Sequence, residues 1–387
     1  MQKSNSPITI AIDTNRSVFH FYTMTGGDKN AIAHDIKPFL SAQFSDEFYK
    51  EFRTALKEFF EKAPSKNVRN VTVVLPDNAV FCDVVTIPTI KGLGQTKKAL
   101  DLKLEGFYKN YKELRIIAQP LVQTKQAVTF SILGAQRNIV SSIYAACSEN
   151  KFFVEHLTYA SAATLSGALA LNSKLKGANC LFLDIKDDYS RFVFSVGGKS
   201  VGFYSLPFGL EFLKKLKTIQ EDMLFEHRYA EFTVLSAKAR AKKTADAAEG
   251  RESASEAVDN ALEALKYENN PQMEIKKTPR SLPNYMLRPI PKTKDDVTYE
   301  NFRIFVKWAL TLIAENTAFS DVAKSEFVCV NLPLELAFVL DKANSEEAEN
   351  GIKFISLLSE KEASAVLSNL ELYGGLFPSQ IPISGKF

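Results

Sequence analysis

The chain has 387 residues, of which 45% are hydrophobic and 24% are charged, a composition typical of globular proteins. Its length predicts two or three domains of ordinary size. The formal net charge of +3 gives no electrostatic support for nucleic-acid binding, which needs basic residues concentrated on one face. The polar start MQKSNSP lacks the apolar core of a signal peptide, and no apolar run is long enough to span a bilayer. We therefore expect a cytoplasmic protein.

The chain opens with a strand, a short polar turn at Asp13–Ser17 and a second strand, together covering residues 8–24. A helical pattern follows before Pro64, and a short buried-type strand covers residues 70–76. The apolar residues of the helix fall on one face, which we expect to be core: Phe48, Phe52, Ala55, Leu56 and Phe59.

Residues 83–153 alternate β-rich and helical patterns in the order β-α-β-β-α, with helices near residues 96–112 and 138–150. We interpret this block as a compact subdomain inserted into a larger fold. Small residues then dominate LTYASAATLSGALALN, residues 157–172, a pattern typical of a helix packed closely against a sheet.

The next stretch, residues 179–209, repeats the theme of the opening hairpin. It predicts a strand ending near Asp184, a polar turn, a second strand, a Gly197-Gly198 turn and a third strand. We interpret this as an internal repeat of architecture, in which Asp13 and Asp184 occupy corresponding places.

The composition changes between residues 237 and 296, where an acidic, alanine-rich run is followed by a basic run rich in proline. Such a segment has too little apolar surface to offset its ordering entropy, so we predict a mobile insertion, with a partner-binding segment as the alternative. The remaining pattern predicts a helix at residues 299–316, a strand at 326–332, a helix opened by Pro333, a strand at 351–358, a helix at 364–373 and a loop-like tail from Gly374.

The four cysteines are far apart and lie in apolar stretches, so we expect reduced core residues. The four histidines show no ligand-like spacing, and we expect no metal site. These residues are Cys82, Cys147, Cys180, Cys329, His20, His34, His156 and His227.

Three stretches resemble the actin-like ATPase superfamily and, within it, the PilM-like proteins of type IV pilus assembly, which are related to FtsA. They are AIDTNRSVFHF at the first phosphate loop, VVLPDNAVFCDVVTIPTI before the inserted block, and LFLDIKDDYSRFVFSVGGKSVGFYSLPFG at the second phosphate loop. The passage from Pro76 to Pro88 and the closing Leu206-Pro207-Phe208-Gly209 match features common in PilM-like proteins. The order of elements fits nearly the whole chain outside residues 237–296.

This resemblance implies an α/β fold of the actin-like (ribonuclease H-like) duplicated type, with an inserted PilM/FtsA-type 1C subdomain. Subdomain 1A would combine residues 1–82, 155–178 and about 364–387, and subdomain 1C would cover residues 83–154. Subdomains 2A and 2B would comprise residues 179–236 and 297–363, separated by the insertion at 237–296.

The resemblance also places degenerate phosphate loops at Asp13, Asn15, Arg16 and Ser17, and at Asp184 and Lys186. Phosphate loops use glycine, because backbone N–H groups must approach the phosphate and the turn needs positive φ. In the first loop Asn15 can adopt that conformation, whereas β-branched Thr14 cannot.

Two further departures affect the implied nucleotide site. Lys186 stands where the family has glycine, and Asp187 and Asp188 would repel phosphate. Asn331-Leu332-Pro333-Leu334 replaces the glycine pair that contacts adenosine. We therefore expect no catalytic residues and neither ATP nor magnesium as a cofactor.

In active relatives the two aspartates share magnesium, and without a metal they would repel each other. We hypothesise that Lys186 or Arg16 supplies the missing positive charge and locks the cleft. The alternative is that Asp13 and Asp184 only cap strand ends or face solvent.

The resemblance favours a non-catalytic cytoplasmic scaffold of a type IV pilus or related secretion machine. Such a protein would bind the N-terminal peptide of a PilN-like membrane protein in a groove between subdomains 1A and 1C, and the partner would recruit it to the inner face of the membrane. The alternative is a nucleotide-binding ATPase or small-molecule kinase of the same superfamily. A homo-oligomer and a monomer both remain open.

Overall fold

The protein is described here from a computed structural model, which defines residues 8–24, 32–62, 69–108, 110–187, 189–206, 209–214, 298–303, 327–346, 353–357 and 369–377, with residues 295 and 306. Apart from Asp295, the predicted insertion at residues 237–296 lies outside the described residues. Two thirds of the helix predicted at residues 299–316, namely residues 304, 305 and 307–316, also lies outside them.

The strands are β1 (Ile8–Asp13), β2 (Val18–Met24), β3 (Ile32–Pro38), β4 (Arg69–Leu75), β5 (Val80–Pro88), β6 (Leu114–Gln123), β7 (Ala127–Gln136), β8 (Phe152–Tyr159), β9 (Cys180–Ile185), β10 (Ser190–Val196), β11 (Lys199–Leu206), β12 (Phe327–Asn331) and β13 (Lys353–Ser356). The helices are α1 (Asp46–Lys62), α2 (Leu93–Phe107), α3 (Arg137–Glu149), α4 (Ala160–Leu171), α5 (Leu210–Lys214), α6 (Ala337–Glu346) and α7 (Leu370–Leu376).

The first sheet has the strand order β3-β2-β1-β4-β8. Strands β1, β2 and β3 are antiparallel neighbours, whereas β4 is parallel to β1 and β8 is parallel to β4. Strand β1 is apolar on both faces because helices cover both: Ile10 lies in the core formed with α1 and α3, and Ala11 packs among residues of α4 and α7.

The second sheet repeats this topology in the order β11-β10-β9-β12-β13, with the same pattern of antiparallel and parallel neighbours. The internal repeat predicted from the sequence is therefore confirmed. The turn between β10 and β11 has Gly197 at φ 57° and Gly198 at φ 76°, in the left-handed region that glycine adopts without a steric penalty.

The inserted block forms a separate antiparallel sheet of order β5-β7-β6. Its predicted β-α-β-β-α order is confirmed, although α2 ends at Phe107 rather than near Lys112. A short 3-10 helix at Tyr111–Glu113 occupies the end of the predicted helix.

The aromatic stripe on α1 is core, as predicted. Phe48 and Phe52 are fully buried, and Phe59 stacks on Phe21 of β2 with ring centroids 4.6 Å apart. Cys147, Cys180 and Cys329 are buried and Cys82 is half-buried. All four are free thiols, which agrees with the expectation of reduced core residues.

Helices α4 and α7 pack so closely that glycine is required at their crossing. A Cβ on Gly374 would collide with the carbonyl oxygen of Ala163, and one on Gly167 would lie 2.5 Å from the carbonyl oxygen of Leu370. The prediction of a loop-like tail from Gly374 is therefore wrong for residues 374–376, because these glycines serve helix packing rather than chain reversal.

Two strands of the first sheet were not predicted. Strand β3 has charged residues at alternate positions. Asp35 forms an ion pair with Lys62 of α1 and Lys37 forms one with Glu58, so this face of β3 is charged and not apolar. Strand β8 ends only at Tyr159, so the small-residue helix begins at Ala160 and not at Leu157.

The chain divides into two compact units, one formed by residues 1–88, 112–210 and 321–387, and one by residues 89–111 and 211–320. In the second unit, α2 buries Leu100 and Leu104, and helical residues 298–303 include buried Tyr299 and Phe302. Among the described residues, no helix is both long enough and apolar enough to cross a membrane.

The close α4–α7 contact predicts that Gly374→Ala destabilises the protein. Alanine stabilises a helix by about 1 kcal/mol relative to glycine. The collision with Ala163 is expected to cost about 1–3 kcal/mol, so the net change in the free energy of unfolding is a loss. Gly94→Ala in α2 is the matched control, because a Cβ there meets nothing within 4 Å. Thermal unfolding should show a lower midpoint for Gly374→Ala and an equal or higher midpoint for Gly94→Ala. Equal midpoints for wild type and Gly374→Ala would contradict the packing argument.

Candidate functional site

A row of polar side chains crosses the second sheet where its strands end. Asp184 on β9 lies opposite Arg191 on β10 in the antiparallel register and opposite Asn331 on β12 in the parallel register. The Asn331 amide donates a hydrogen bond of 2.9 Å to Asp184 Oδ1, and Arg191 Nη1 lies 3.7 Å from Asp184 Oδ2. Pairing of these strands therefore fixes the three groups relative to one another.

The two repeat aspartates differ in depth because their hairpins differ in length. Strand β1 ends at Asp13, which pairs with Val18, whereas the second hairpin continues to the Ile185–Ser190 pair beyond Asp184. Asp184 is consequently inside its strand and 0% exposed. The alternative that the aspartates only cap strand ends or face solvent is therefore wrong for Asp184, because its side chain is buried within the sheet. A buried carboxylate needs charged or hydrogen-bonding partners.

Arg191 connects Asp184 to carboxylates from elsewhere in the same unit. Its Nε donates to Asp77 Oδ2 at 2.9 Å, and its Nη1 donates to Glu371 Oε2 at 2.7 Å and to Thr164 Oγ1 at 2.8 Å. Burial alone would lower the pKa of the Arg191 guanidinium, but the charges of Asp77 and Glu371 raise it well above its ordinary value. Arg191 is thus a permanent buried cation.

The elements of the first half hold the carboxylates in place. Asp77 follows β4 in a 3-10 turn. Its carboxylate accepts hydrogen bonds from the backbone N–H and the hydroxyl of Ser161 and so caps the first turn of α4. Glu371 lies in the first turn of α7, whose position is fixed by the glycine-dependent contact with α4. The Arg191 ion pairs therefore join β10 to β4, α4 and α7.

Lys186 provides a second cation next to Asp184. Its Nζ lies 3.3 Å from Asp184 Oδ2, and its side chain is largely buried. The backbone of its turn is held by the N–H of Leu210, which donates to the Lys186 carbonyl at 2.7 Å. A Cβ on Gly209 would collide with this same carbonyl, so glycine permits the close approach.

In the first loop, Asp13 occupies the N–H groups of its own turn. Its Oδ1 accepts hydrogen bonds from the backbone N–H groups of Asn15 at 2.9 Å and Arg16 at 3.0 Å. The residue of this turn with positive φ is Ser17, at φ 54°, and not Asn15. Ser17 is the last residue of the turn and directly precedes β2. The Arg16 side chain is exposed.

Asp13 also begins a polar chain toward the sheet edge. His20 Nε2 lies 3.6 Å from Asp13 Oδ2, and His20 Nδ1 lies 2.9 Å from His34 Nε2 on β3. Burial alone would raise the pKa of Asp13, but the hydrogen bond from His20 and the backbone N–H of Arg16 lower it. Burial and the neighbouring His20 lower the pKa of His34.

Burial is the main cause that raises the pKa of half-buried Tyr189, and the charges of Glu371, Asp184 and Asp13 raise it further, so both aspartates act on this one side chain. Lys186 contacts Asp184, one of the two carboxylates of the charge hypothesis, whereas Arg16 donates its backbone N–H to Asp13. The lock itself stays a prediction.

Four residues of the cluster were not expected from the sequence, namely Arg191, Asp77, Glu371 and Thr164. Asn331 was expected at the adenosine turn and instead donates to Asp184. The signal for Arg191 was present, because a charged residue inside the apolar strand SRFVFSV needs a buried partner.

A separate cleft of about 330 Å³ lies where the inserted block joins the first sheet. Its wall is rich in side-chain amides, and Phe44 in it has φ 58°, a strained conformation for an aromatic residue. The lining residues are Gln43, Phe44, Asn78, Ala79, Gln136, Asn138 and Ile139.

No family model and no curated protein matches this sequence. Among solved structures, the chain is similar to one described as a PilM-PilN type IV pilus biogenesis complex, with a TM-score of 0.50 and 14% identity over 96% of this chain and 97% of that chain. It is less similar to the cytoplasmic domain of EpsL, an inner-membrane component of the type II secretion system of Vibrio cholerae, with a TM-score of 0.36 and 10% identity over 52% of this chain and 71% of that chain. The ethanolamine utilization protein EutJ from Carboxydothermus hydrogenoformans gives a TM-score of 0.34 and 9% identity over 96% and 89%.

The first of these similarities, together with the repeated sheet topology, shows the fold. The chain has the duplicated, ribonuclease H-like α/β fold of actin-like proteins with an inserted subdomain. At 14% identity the similarity establishes fold and no activity.

The cluster predicts a graded response to removal of its cations. Arg191→Met should lower the free energy of unfolding by about 3–5 kcal/mol, because it leaves buried carboxylates without their cation. Lys186→Met should cost about 1–3 kcal/mol, and Arg16→Met, at an exposed position, at most about 0.5 kcal/mol. Urea unfolding of the three variants measures this order. An Arg191→Met variant as stable as Arg16→Met would show that the cluster does not hold the fold together.

The pH dependence follows from Glu371. Burial alone would raise its pKa, but Arg191 and Lys186 lower it below the ordinary value of 4.5. A lowered pKa stabilises the fold above about pH 4.5, and this contribution is lost as the pH falls through the pKa of the folded state. Stability of wild type should therefore fall on acidification below about pH 4.5, and Glu371→Gln should show a shallower slope. The exposed Glu155→Gln variant should keep the wild-type slope, and a wild-type slope for Glu371→Gln would refute this assignment.

Proposed function

We propose that this protein is a non-catalytic, actin-like scaffold of a type IV pilus or related secretion machine, which binds an extended peptide of a membrane-anchored partner. The observation that carries the non-catalytic part is the buried Arg191 cation among Asp77, Asp184 and Glu371. The protein's own charges occupy the ends of the strands where the superfamily resemblance places magnesium and phosphate.

Two features of the described residues oppose phosphate binding. The N–H groups of the first turn already bind Asp13, so they do not point to an incoming anion. The carboxylates of Asp13, Asp77, Asp184 and Glu371 outnumber the cations of Arg191 and Lys186 and would repel phosphate. Neither ATP nor magnesium is therefore part of the proposal.

The cleft at the base of the inserted block is the proposed peptide site. Side-chain amides can donate to and accept from the backbone of an extended peptide, while Phe44 and Ile139 offer apolar contact for a side chain. The strained backbone of Phe44 supports this assignment, because strained residues concentrate at binding sites. The cleft adjoins the inserted block, where the family resemblance places a peptide groove.

The partner is inferred from the similar structure, in which PilM is bound to PilN. We propose a PilN-like membrane protein, whose N-terminal cytoplasmic segment would bring this chain to the inner face of the membrane. Because nothing in the binding step requires nucleotide hydrolysis, the affinity should be independent of ATP.

The test uses a fluorescent peptide of the N-terminal segment of the PilN-like protein from the same organism, titrated with the full chain and followed by fluorescence anisotropy. Asn138→Arg, at an exposed position in the cleft, should weaken binding at least about tenfold, or about 1.4 kcal/mol, by filling the site. The matched control is Gln123→Arg, an exposed amide on β6 outside the cleft, which should bind as wild type does.

The same titration with millimolar Mg-ATP should give an unchanged affinity. Absence of peptide binding, or equal binding by Asn138→Arg and wild type, would contradict the proposed site. A dependence on Mg-ATP would contradict the non-catalytic scaffold and favour a nucleotide switch.

A further inference from the structure

The outer edge of β3 is unpaired among the described strands, since β3 ends the order of the first sheet. Ile36 within the strand is 49% exposed, and Leu40, just beyond the strand, is 96% exposed. Isolated exposed apolar residues are ordinary, but two of them along a free strand edge form a surface that can pair with another strand.

The hydrogen-bond pattern shows which backbone groups point outward. Phe39 N–H donates to the Ser17 carbonyl, so the Pro38–Val18 pair is of the non-hydrogen-bonded kind, and the pairs alternate from there along β3. Lys37 and Asp35 consequently direct their backbone groups to β2. The N–H and C=O groups of Ile36 and His34 point away from β2, to the free edge.

We infer that β3 pairs with β3 of a second copy of this chain, antiparallel and centred on Ile36, which makes the protein a reversible homodimer. In this register the two Ile36 residues form a hydrogen-bonded pair and exchange both of their N–H···O=C bonds. His34 N–H of each copy donates to the Pro38 carbonyl of the other. Pro38 has no N–H, which ends the ladder there.

The sequence of β3 is self-complementary in charge about Ile36. Antiparallel pairing centred on that residue sets Asp35 opposite Lys37 of the other copy on both sides of the axis. These side chains lie on the α1 face, where Lys37 is 2.6 Å from Glu58 and Asp35 is 3.3 Å from Lys62, so the new pairs extend an existing row of alternating charges. A parallel pairing, or one shifted by two residues, loses this match.

The opposite face supplies the apolar contact. Ile36 projects with His34 on the face where His34 contacts Tyr22, and α4 and α7 cover β1 and Tyr22 but leave Ile36 exposed. Pairing brings the two Ile36 side chains together and covers this surface. One strand edge buries less than the about 1,200–2,000 Å² of stable interfaces, so the dimer is weak and concentration-dependent.

Site-specific crosslinking of the full chain tests the register. In a hydrogen-bonded antiparallel pair the two Cα atoms are about 5.5 Å apart, within the range for a disulfide, so Ile36→Cys should form a covalent dimer under mild oxidation. Leu40→Cys is the matched control, because its two copies would be about 26 Å apart along the strands although residue 40 is the more exposed. Crosslinking through collisions would favour Leu40→Cys.

Sedimentation equilibrium over a concentration series tests the association itself. Wild type and Ile36→Val should show the same reversible dimerisation, and Ile36→Lys, which sets two cations together at the axis, should weaken it at least tenfold. Val122→Lys, a half-exposed position on the edge strand β6, should dimerise as wild type does. A wild type that stays monomeric, an Ile36→Lys variant with unchanged association, or faster crosslinking of Leu40→Cys would each overturn the inference.

Discussion

The structure of the first unit depends on the neutralisation of one buried charge. Arg191 lies inside a strand of the second sheet, and removing a guanidinium from water is so costly that it persists only where carboxylates meet it in good geometry. Asp77 and Glu371 do so from the first half of the duplication and from the last described helix. A single side chain thereby links elements far apart in sequence. It also supplies the positive charge that neutralises the carboxylates of the cluster.

This ion-pair network requires close packing of backbones. Helix α4 lies between residues of both sheets and is buried all round, so it is built from small residues instead of having an apolar and a polar face. The glycines at its crossing with α7 bring Glu371 within 2.7 Å of Arg191. A bulkier crossing would move the carboxylate away and leave the arginine unpaired. Helix packing and electrostatics are therefore a single constraint on this part of the sequence.

Much of the fold followed from the sequence because its signals are local. Hydrophobic period and turn residues predicted the strand–turn–strand repeat, the inserted β-α-β-β-α block and the core face of α1. Strand β3 was missed because its charged residues are satisfied by α1, a contact invisible in the local pattern. The helical Gly374 was misread for the same reason, since only the neighbouring helix explains it.

The candidate site was predictable only in part. The two aspartates and Lys186 were found by their position after strands, which the resemblance supplied. Arg191, Asp77 and Glu371 come from separate segments, and only the folded chain brings them together. Arg191 carried a local signal as a charge within an apolar strand, but its partners could not be chosen from many other carboxylates without the strand register. The domain boundaries and the absence of a nucleotide stay predictions.

The central claim is that the cations of Arg191 and Lys186 take the place of magnesium and that the surrounding carboxylates exclude nucleotide. It is tested most directly by thermal unfolding of wild type and Asp13→Ala with and without millimolar Mg-ATP. A ligand at 100 times its Kd adds about 2.7 kcal/mol of stability, which shifts the midpoint by several degrees. Neither protein should show a shift. A shift in wild type that Asp13→Ala abolishes would contradict it and show that the loops bind nucleotide.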